Sequence, residues 1–561
     1  MNATGDVLAS AADGLVFVPL GGAGEIGMNL YLYGCRGKWL MVELGITFAD
    51  DTAPGIDVIM PDPQFIAELR DDLVGLVLTH AHEDHLGAVP YLWPRLRCPV
   101  FATPFAAGLL RRKLVEAGLA EEAKVTEVPL GGHIALDPFA IDLITLTHSI
   151  PESNALAIGT PFGTVLHTGD WKLDPRPLIG RVTDDEALRD LGEEGTLAMV
   201  CDSTNVFVDG EAGSEAEVRE SLMELVGRYE KRVAVTFFSS NVARLETMAA
   251  VAAAHGRHAA LIGRSLWRIN ETARSCGYLE DVPPFVSEYD VSYLPPEKVL
   301  LLCTGNQGEP ESALARIAAR NHPRVVLEEG DVALFSSRVI PGNEKAVYRL
   351  QNQLVELGVE VVTERDQFVH VSGHPARDDL ARMYQWVRPR IAVPMHGEMR
   401  HLVEHAALAR ECRVPEARVV ANGDVLKLAP GRAELVGRVP YGRLGLDGTR
   451  LAPLEGSVVQ ARHRMIYNGT AAVTVVLDEA GKLLAEPRLS VQGLLDVEGD
   501  ARDAVVLEEV IRTIEDALER LSKAARRDDA TVAETVRLAV RRRLKASRGK
   551  KPLTEVHVVR I

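Results

Sequence analysis

The stretch "LVLTHAHEDHLG" (residues 76–87) joins an apolar run to four side chains that can bind a metal. His80, His82, Asp84 and His85 fall within six residues, directly where the predicted strand ends. A packed core cannot hold so many polar groups, whereas imidazole and carboxylate are ligands that Zn²⁺ takes at about 2.0–2.2 Å. A polar surface loop with coincidental histidines is the alternative. The pattern favours a loop in which His80 and His82 bind one metal while Asp84 and His85 bind a second.

Two metals need further ligands, and three candidates follow later apolar runs. They are His148 in "LITLTHSIPES", Asp170 in "TVLHTGDWKLD" and His396 in "IAVPMHGEMR". Each comes directly after a predicted strand and before a turn, so we expect each on the rim of a sheet. Asp170 suits a bridging carboxylate. His167 is the last residue of its predicted strand, and we interpret it as a neighbour of the site rather than a ligand.

The segment "VFVPLGGAGEIGMNLYLYG" (residues 16–34) contains a G-x-G-x-x-G pattern, which can bind a dinucleotide when a helix follows it. Here the predicted strands 28–33 and 39–43 are joined by the short turn "GCRGK" and form a hairpin. The hairpin leaves no room for the helix, which argues against a nucleotide cofactor. We predict instead that the glycines allow a close approach of the backbone to another group.

Composition limits the class of protein. At 561 residues the chain is long enough for two to four domains, and 47% apolar and 25% charged residues are typical of a soluble globular protein. The apolar runs fall short of the ~18 residues of a membrane span, and the first 14 residues lack a secretory signal pattern. Six scattered cysteines predict free thiols in a reducing cytoplasm. The net charge of −17 argues against nonspecific nucleic-acid binding but says little about an enclosed site.

The rhythm of predicted elements changes along the chain. Short strands dominate residues 1–214, longer helices alternate with strands over 215–360, and short strands return over 361–450. Residues 451–561 form a small tail, in which "TAAVTVVLDEAGKLL" predicts a hairpin and "DDATVAETVRLAVRRRLKASRGKK" a helix with a basic end. The middle segment therefore looks like a separate α/β unit.

The H-x-H-x-D-H cluster, followed by a histidine, an aspartate and a last histidine, resembles the metallo-β-lactamase superfamily. The resemblance implies an α/β fold, an αββα sandwich that holds two metals between two packed sheets. The ions would lower the pKa of a water molecule, which becomes the nucleophile. The implied ligands are His80, His82 and His148 for one metal, Asp84, His85 and His396 for the other, and Asp170 as the bridge.

More than 200 residues separate Asp170 from His396, which implies a domain inserted into the metal-binding one. This arrangement and the motifs "CDSTN", "HVSGHP" and "PMHGE" resemble the β-CASP group of nucleases. Over roughly the first 440 residues the chain is similar to the bacterial ribonuclease J family, through "GGAGEIGMN", "THAHEDHLGAVPYL", "THSIPES", "HTGDWKLDP", "CTGNQGEPESAL", "FSSRVIPGNE" and "HVSGH". The implied domains are the metallo-β-lactamase domain (1–214 and 361–450), an inserted β-CASP domain (215–360) and a small α+β C-terminal domain (451–561) for oligomerisation or RNA contact.

The same resemblance implies a 5′→3′ exoribonuclease that prefers 5′-monophosphate ends and also cuts internally, in rRNA processing, RNA maturation and mRNA decay. It implies two Zn²⁺ per subunit, with Mn²⁺ or Mg²⁺ as alternatives. Expected partners are RNA, further copies of the chain in a homodimer or homotetramer, and components of an RNA-degradation complex, but no membrane. The resemblance also supports a glycine turn close to the metal loop or to substrate phosphates.

Cleavage of a phosphodiester needs stabilisation of charge and a proton for the leaving oxygen. His374 is the candidate acid, or at least a hydrogen-bond donor to the phosphate, and Asp202 is expected to orient its ring. Asp84 is predicted to be catalytic as well as a metal ligand. A 5′-phosphate needs hydrogen-bond donors in a closed pocket, although a structural turn is the alternative for each stretch that follows. The predicted pocket consists of His370, Val371, Ser372, Gly373 and His374, with Ser239, Ser240 and Asn241 from the inserted domain.

Basic residues for an RNA channel are predicted in "PRPLIGRV" (residues 175–182) and at Arg244, Arg264 and Arg268. The run 541–551 carries seven Lys or Arg residues and is interpreted as a solvated face in preference to an RNA-binding one. Glu43 stands where the ribonuclease J pattern normally has Asp. The carboxylate at this position helps to orient the metal loop. The longer Glu43 therefore puts metal affinity in doubt more than the fold, because a change of this kind can lower metal affinity or activity about 10–100-fold.

Two other functions are consistent with the sequence. One is a β-CASP deoxyribonuclease in DNA repair, which contacts to the ribose 2′-hydroxyl would distinguish from a ribonuclease. The other is a catalytically weak RNA-binding scaffold. Seven candidate ligands argue against the scaffold, because binding alone does not require them.

Overall fold

Two stacked β-sheets share an apolar core in the larger of two structural units. The structure is a computed structural model that describes residues 3–50 and 52–561. Its contacts divide into one unit of residues up to Thr47 with Ile59–Gly442, and a second unit of Phe48–Val58 with Arg443–Ile561.

The first sheet of the larger unit has eight strands and contains the predicted hairpin. Leu30–Cys35 pairs antiparallel with Lys38–Val42 across a turn at Arg36 and Gly37. Both turn residues have positive φ (51° and 74°), as a two-residue turn of type I′ requires. The hairpin prediction is confirmed, and the chain passes from the glycines into a strand. In spatial order the strands are Glu434–Arg438, Asp424–Ala429, Leu15–Gly21, Leu30–Cys35, Lys38–Val42, Leu73–Val77, Val100–Ala102 and Val125–Glu127.

The second sheet has seven strands and faces the first across the main core. Phe17, Tyr33 and Val42 of the first sheet pack in one cluster with Ile141 and Val200 of the second. Removal of this apolar surface from water stabilises the stacked arrangement. In spatial order the strands are His133–Leu136, Phe139–Thr145, Asn154–Thr160, Gly163–His167, Thr196–Asp202, Ile391–Met395 and Glu416–Ala417.

Helices pack on the outer faces of both sheets, which confirms the predicted αββα layering. On the second sheet, three helices bury Leu188, Met383 and Leu408 in a common cluster. On the first sheet, Trp39 packs edge to face with Phe65, and their ring centroids lie 5.4 Å apart. The helices are Ala3–Asp13, Gln64–Ala67, Glu83–Leu86, Val89–Leu96, Pro104–Glu116, Asp185–Glu194, Arg377–Val387 and Met399–Glu411, with a 3₁₀ turn at Arg70–Asp72 and short strands at Ala23–Gly24 and Gly397–Glu398. Two further short strands, Thr47–Phe48 and Val58–Pro61, each include residues of both units.

A parallel six-stranded sheet forms the inserted α/β part of the same unit, as predicted. Its strand Val299–Cys303 is buried along its whole length, which is typical of a parallel sheet covered by helices. In spatial order the strands are Val286–Ser287, His258–Ile262, Val299–Cys303, Val233–Thr236, Val332–Phe335 and Glu360–Val362. The helices are Glu215–Val226, Val242–Ala254, Arg264–Ser275, Ala313–Ala318 and Glu344–Glu356, with 3₁₀ turns at Val291–Tyr293 and Pro296–Lys298.

The smaller unit packs two long helices on a three-stranded sheet. Helix Ala501–Glu519 buries Val510 and helix Asp529–Arg548 buries Val536 against Val473 of the central strand. The helix predicted at the basic end of the chain is thereby confirmed. The sheet runs Arg488–Gln492, Thr470–Leu477, Leu553–Arg560, and the unit also contains Arg443–Asp447, Arg450–Pro453, Ser457–Asn468 and a 3₁₀ turn at Ala525–Arg527.

The hairpin predicted within residues 470–484 is wrong. Thr470–Leu477 pairs antiparallel with Arg488–Gln492 and parallel with Leu553–Arg560. The predicted return segment makes a single bridge, from Leu477 to Leu483. Pro487 then interrupts the chain, and because proline has no N–H for a ladder, regular pairing begins only beyond it.

Two expectations concern membranes and targeting. Among the helices of the described residues, none has the length and apolar character needed to cross a membrane. The expected lack of a secretory signal falls partly on residues 1 and 2, which lie outside the described residues. The following residues form the helix Ala3–Asp13.

Candidate metal centre

Strand ends bring the seven predicted metal ligands to one edge of the sandwich. The segment from His80 to His85 follows a strand of the first sheet. In the second sheet, three neighbouring strands run parallel, so their carboxyl ends lie at the same edge. Asp170, Asp202 and His396 lie at or just beyond those ends, and they meet although they are distant in the sequence.

The first group of ligands contains three histidines and one carboxylate. Nδ1 of His82 lies 3.1 Å from Nε2 of His80 and 3.0 Å from Nε2 of His148. Oδ2 of Asp170 lies 4.0 Å from Nε2 of His80. The four ligand atoms lie within 4.8 Å of one another, as binding of a single ion requires.

The second group shares Asp170 with the first. Oδ2 of Asp170 lies 3.1 Å from Nε2 of His85 and 3.4 Å from Nε2 of His396. Oδ2 of Asp84 lies 3.5 Å and 3.7 Å from the same two nitrogens. The structure therefore brings together all seven residues in the two sets that were predicted, with Asp170 between them.

Hydrogen bonds determine which ring nitrogen of two histidines carries the proton. Nδ1 of His148 donates to the carbonyl of Gly373, which leaves Nε2 unprotonated in the neutral ring. The hydroxyl of Thr79 donates to the carboxylate of Glu43, so its oxygen accepts from Nδ1 of His80 at 2.9 Å. Both rings therefore direct an unprotonated Nε2 toward His82.

The electrostatics of the first group fit a cation. Burial lowers the pKa of His80 and of His148 well below the usual value and lowers the pKa of His82 to about 4. All three rings are neutral at neutral pH, and two unprotonated nitrogens face the third at 3.0 and 3.1 Å. Neutral imidazole nitrogens that converge in this way are a donor set for Zn²⁺.

The second group combines ionised carboxylates with histidines. Burial alone would raise the pKa of Asp170, but His396 and His85 hold it well below its usual value. The pKa of Asp84 is also lowered against the effect of burial, chiefly by His85. Burial would lower the pKa of His85, but Asp170 and Asp84 raise it. Negative charge therefore persists at this buried edge, where it suits a divalent cation.

Asn29 contacts three of the candidate ligands, and sequence reasoning missed it. Its Oδ1 accepts from Nδ1 of His396 at 2.9 Å and from the hydroxyl of Tyr31 at 2.7 Å. Its Nδ2 donates to the carbonyl of Asp84 at 3.0 Å and lies 3.1 Å from Nε2 of His85. The signal in the sequence was a polar residue directly before the apolar strand that follows the glycines.

The glycine turn passes close to this support, in agreement with the expected close approach of the backbone. Gly22 has φ +80°, and a Cβ atom there would lie 2.3 Å from Oδ1 of Asn29. The carbonyl of Gly22 accepts from the backbone N–H of His396 at 2.8 Å. A Cβ atom on Gly27 (φ +89°) would lie 3.5 Å from Cβ of Asp84. The glycines therefore allow the turn to lie between the metal loop and the segment of His396.

Glu43 is fully buried and contacts both ends of the metal loop. Its carboxylate accepts from the backbone N–H of Thr79 at 3.2 Å and from the Thr79 hydroxyl. Oε1 also lies 3.2 Å from Nδ1 of His85. Burial raises the pKa of this carboxyl, and His85 opposes the shift. The longer side chain thus folds back onto the loop without displacing it from the centre.

His374 lies beside the metal ligands and is paired with Asp202. Nδ1 of His374 donates to Oδ2 of Asp202 at 2.8 Å, and it lies 3.8 Å from Oδ2 of Asp170. Burial would lower the pKa of His374, but Asp202 and Asp170 raise it to about 9. The ring therefore carries a proton at neutral pH next to the two predicted metal positions, which suits a general acid.

The predicted phosphate pocket has a rigid backbone, which Asn205 holds. Nδ2 of Asn205 donates to Oγ of Ser372 at 2.7 Å and to the carbonyl of His374 at 3.2 Å. Among the described residues, Nδ1 of His370 has no hydrogen-bond partner although it is buried, and burial lowers the pKa of His370 to about 3. Val371 is buried, which leaves only its backbone available to a ligand. Asn205 was missed, although it ends the motif "CDSTN".

The inserted domain reaches the centre through Ser240. Oγ of Ser240 lies 3.1 Å from Nε2 of His82, and Ser239 precedes it in a half-buried position. The side chain of Asn241 is engaged elsewhere, because Oδ1 accepts from the backbone N–H of Arg244 at 2.8 Å and Nδ2 donates to Glu215 at 3.0 Å. The structure therefore brings Ser240 to the centre and gives Asn241 a structural role at the start of a helix.

Arg244 is not an RNA-channel residue, which corrects the sequence-based expectation. Its guanidinium is fully buried, pairs with Glu215 at 2.9 Å and donates to the carbonyls of Ser336 and Val369 at 3.1 and 2.9 Å. Arg268 is exposed and pairs with Glu116 at 2.7 Å. The pattern of basic residues could not show burial, because the ion pair of Arg244 depends on a residue 29 positions away.

Four family models match successive parts of the chain. The metallo-beta-lactamase superfamily model matches residues 24–200, and the ribonuclease J beta-CASP domain model matches residues 230–354. A model described as a Zn-dependent metallo-hydrolase RNA specificity domain matches residues 358–416. The ribonuclease J C-terminal domain model matches residues 457–561. The chain also resembles a crystal structure of a protein of unknown function from Enterococcus faecalis V583 (TM-score 0.51, 14% identity, 74% of this chain and 100% of that chain), which supports the fold alone.

Curated relatives extend over almost the whole chain. A ribonuclease J from Sinorhizobium meliloti is 44% identical over 98% of this chain and 97% of its own length. A ribonuclease J from Mycolicibacterium smegmatis is 37% identical over 98% of each chain. A ribonuclease J from Thermus thermophilus is 36% identical over 83% of each chain.

Proposed function

The chain belongs to the ribonuclease J family, and from this premise we propose a metal-dependent ribonuclease that degrades RNA from 5′ to 3′, prefers 5′-monophosphate ends and also cuts internally. The observation that carries the proposal is the convergence of seven candidate ligands on two metal positions, where His148 also contacts the carbonyl of Gly373 in the predicted phosphate pocket. A metal-dependent exoribonuclease that selects a 5′-phosphate needs both parts, because the metals serve cleavage and the pocket selects the end.

The residues fit two divalent cations, for which we propose Zn²⁺, with Mn²⁺ or Mg²⁺ as alternatives. Three neutral imidazoles and one carboxylate offer one site, and two carboxylates and two imidazoles offer the other, with Asp170 common to both. When bound, such cations stabilise the charge that develops on a phosphodiester and increase the acidity of water. Asn29 and Glu43 hold the ligand rings in place for this task.

His374 supplies the proton that the leaving oxygen needs. Its Nδ1 donates to Asp202, so the ring keeps a fixed orientation while the other nitrogen is free to exchange a proton with the substrate. Both oxygens of Asp202 are engaged, since Oδ1 accepts from the backbone N–H and hydroxyl of Thr204 at 2.8 and 2.7 Å. Asp202 therefore acts on the reaction by positioning His374.

The pocket for the 5′-phosphate is formed by His370, Ser372 and Ser240. The buried, unpartnered Nδ1 of His370 supports this assignment, because buried polar atoms normally have partners and a ligand would provide one. Ser372 and Ser240 are held close to the centre by Asn205 and His82, respectively. A terminal phosphate in this pocket would place the first linkage over the metals, which favours removal of one nucleotide at a time.

We also propose the domain boundaries, the assembly, the location and the cellular substrates of this enzyme. The proposed domain boundaries are 1–214 with 361–450 for the metal-binding sandwich, 215–360 for the insertion and 451–561 for the C-terminal domain. The contacts divide the chain slightly differently, because the smaller unit resumes at Arg443 and the strand Glu360–Val362 belongs to the sheet of the insertion. Self-association as a homodimer or homotetramer through the C-terminal domain, a cytoplasmic location and partners from an RNA-degradation complex complete the proposal. Its substrates are transcripts in rRNA processing, RNA maturation and mRNA decay.

The test compares three labelled substrates of one sequence: 5′-monophosphorylated RNA, 5′-hydroxyl RNA and 5′-monophosphorylated DNA. Each is incubated with the full chain and with Zn²⁺, Mn²⁺ or Mg²⁺. We expect mononucleotides from the phosphorylated RNA and much slower exonucleolytic degradation of the other two. The variant His374→Ala is the control for contaminating nuclease. Equal degradation of DNA, or no product with any of the three metals, would contradict the proposal.

A further inference from the structure

Two motifs of the inserted domain have no role in the site described above. "CTGNQGEP" (residues 303–310) follows the strand Val299–Cys303, and "FSSRVIPGNE" (residues 335–344) follows the strand Val332–Phe335. Both strands are parallel neighbours of Val233–Thr236, the strand that leads to Ser240. Because the carboxyl ends of parallel strands lie at one edge, both motifs lie at the edge of the sheet from which Ser240 reaches His82.

Gln307 joins the two motifs and fixes the backbone around Arg338. The side chain of Gln307 is buried, and its Nε2 donates to the carbonyl of Arg338 at 2.8 Å. Its Oε1 accepts from the backbone N–H of Ile340 at 2.8 Å and from Nδ2 of Asn343 at 3.3 Å. The side-chain amide of Gln307 thus fixes the loop that follows Phe335, so the backbone of Arg338 is held in one position.

Arg338 lies next to the predicted phosphate pocket. Ser336, two residues before it, donates through Oγ to the carbonyl of Val369 at 2.7 Å, and Val369 directly precedes His370. Burial is the main reason for the lowered pKa of His370, and the positive charge of Arg338 contributes to it. The contact between Ser336 and Val369 therefore brings the loop of Arg338 next to His370, and the effect of the Arg338 charge on His370 agrees with this position.

The guanidinium of Arg338 is available for a ligand. Its side chain is 53% exposed, and Nε lies 3.6 Å from Oε2 of Glu364, a distance too long for a strong hydrogen bond. A guanidinium can donate two parallel hydrogen bonds to a phosphate, and a rigid backbone reduces the entropy lost on binding. An exposed arginine on a fixed loop beside a buried donor pocket therefore fits a phosphate of a bound strand.

We propose that Arg338, held by Gln307, binds a phosphate group of the RNA substrate beside the pocket of His370 and Ser372. The inference rests on the proposed ribonuclease function. The phosphate is either the 5′-terminal one or the phosphodiester next to it. These two sources have the same chemistry, and substrates with and without a terminal phosphate distinguish them.

The experiment uses the full chain with the variants Arg338→Gln and Arg338→Lys, and Arg228→Gln as the matched control. Arg228 belongs to the same domain, is similarly exposed at 50% and is also near one carboxylate, but it precedes the strand Val233–Thr236 and therefore lies toward the opposite edge of the sheet. KM and kcat are measured on 5′-monophosphorylated and 5′-hydroxyl RNA. RNA binding is measured between 50 and 300 mM salt, and circular dichroism confirms folding.

For Arg338→Gln we expect KM to rise about 10-fold with kcat within about twofold, the low end for loss of a charge-assisted hydrogen bond. The slope of log K against log salt should decrease by about 0.7, the value for one phosphate contact on a single strand. Arg338→Lys should keep the salt slope of the unmodified chain but should reverse only part of the rise in KM. Arg228→Gln should change neither quantity. A rise in KM confined to phosphorylated RNA identifies the terminal phosphate, and an equal rise on both substrates identifies the phosphodiester.

The outcome separates this inference from the proposed function. If the unmodified chain releases mononucleotides from RNA but Arg338→Gln keeps its KM and salt slope, the inference is overturned and the ribonuclease stands. A loss of kcat at constant KM would also overturn it, because it would show an effect on the reaction rather than on binding. If the unmodified chain has no activity on RNA, the proposed function fails first.

Discussion

Oδ2 of Asp202 lies 2.8 Å from Nδ1 of His374, although 172 residues and the whole inserted domain separate the two along the chain. Asp202 ends a strand of the second sheet, and His374 follows the insertion in the motif "HVSGHP". The pair therefore forms only when the chain returns from the inserted domain in the correct position. The proposed proton donor therefore acquires its positioning residue only in the completed fold.

The first prediction concerns this pair. His374→Ala should lower kcat about 10²–10⁴-fold, the usual contribution of a positioned acid, while metal content stays unchanged. Asp202→Asn should lower kcat less, because it leaves the ring in place but removes the carboxylate that raises the pKa of His374. The double variant should be no slower than His374→Ala. Single-turnover rates with metal analysis provide the test, and additive losses would show that the two residues act independently.

The second prediction concerns metal binding. Asp170 belongs to both ligand groups, so Asp170→Asn should reduce the content of both metals, whereas His148→Ala should reduce only one. His167→Gln is the matched control: His167 is a buried neighbour that contacts the hydroxyl of Tyr33 at 2.9 Å and lies outside all the ligand groups found in the described residues. Metal per chain is measured after dialysis against a weak chelator. Two metals retained by Asp170→Asn would disprove a bridging role.

The third prediction concerns Glu43. Glu43→Ala should weaken metal affinity about 10–100-fold, because both Thr79 and His85 lose their common partner. Glu43→Asp should preserve or raise activity, since a carboxylate remains and Asp adopts positive φ, here +65°, more readily than Glu. Affinity is measured by competition with a chromogenic chelator. A collapse of activity in Glu43→Asp would contradict the assigned position of this carboxylate.

The fourth prediction concerns stability against acid. Arg244 lowers the pKa of the buried Glu215 from 4.5 to about 2, against the effect of burial. A carboxyl group whose pKa is lower in the folded state stabilises the protein above its unfolded pKa, and this contribution is lost as the pH falls from about 5 to about 2. The loss should be on the order of 3 kcal/mol. Urea unfolding between pH 3 and 7 measures the larger part of this loss.

Glu215→Gln is the variant for this test. It should be less stable at neutral pH, by about 3–5 kcal/mol, because the guanidinium of Arg244 stays buried without its charged partner. Its stability should depend less on pH than that of the unmodified chain below pH 5. An unchanged slope in the variant would show that other carboxyl groups are responsible.

The metal loop was predictable because its information is local. Four candidate ligands in six residues after an apolar strand can be recognised without knowledge of the rest of the chain. His148, Asp170 and His396 were also predictable, because each follows a strand, and strand ends meet at sheet edges. The hairpin after the glycines was predictable from the spacing of its short turn.

The residues that support these ligands were not predictable in the same way. Asn29, Asn205 and Gln307 act through contacts with residues that are 31 to 367 positions away, and an isolated amide in a sequence gives no direction. The prediction of Arg244 as an RNA-channel residue was wrong for a related reason. Arginine is usually exposed, and only the packed structure shows that the charge of Glu215 compensates the burial of Arg244. The predicted hairpin of the C-terminal segment was wrong because both strands that pair with Thr470–Leu477 lie further along the chain.

His396 is the last of the seven ligands along the chain, more than 300 residues after His80. It reaches the centre only after the inserted domain and the strand Ile391–Met395 have been made. During translation, a growing polypeptide therefore carries an incomplete set of ligands until most of its message has been read. The seven-residue set is therefore complete only in a chain that has been synthesised past residue 396.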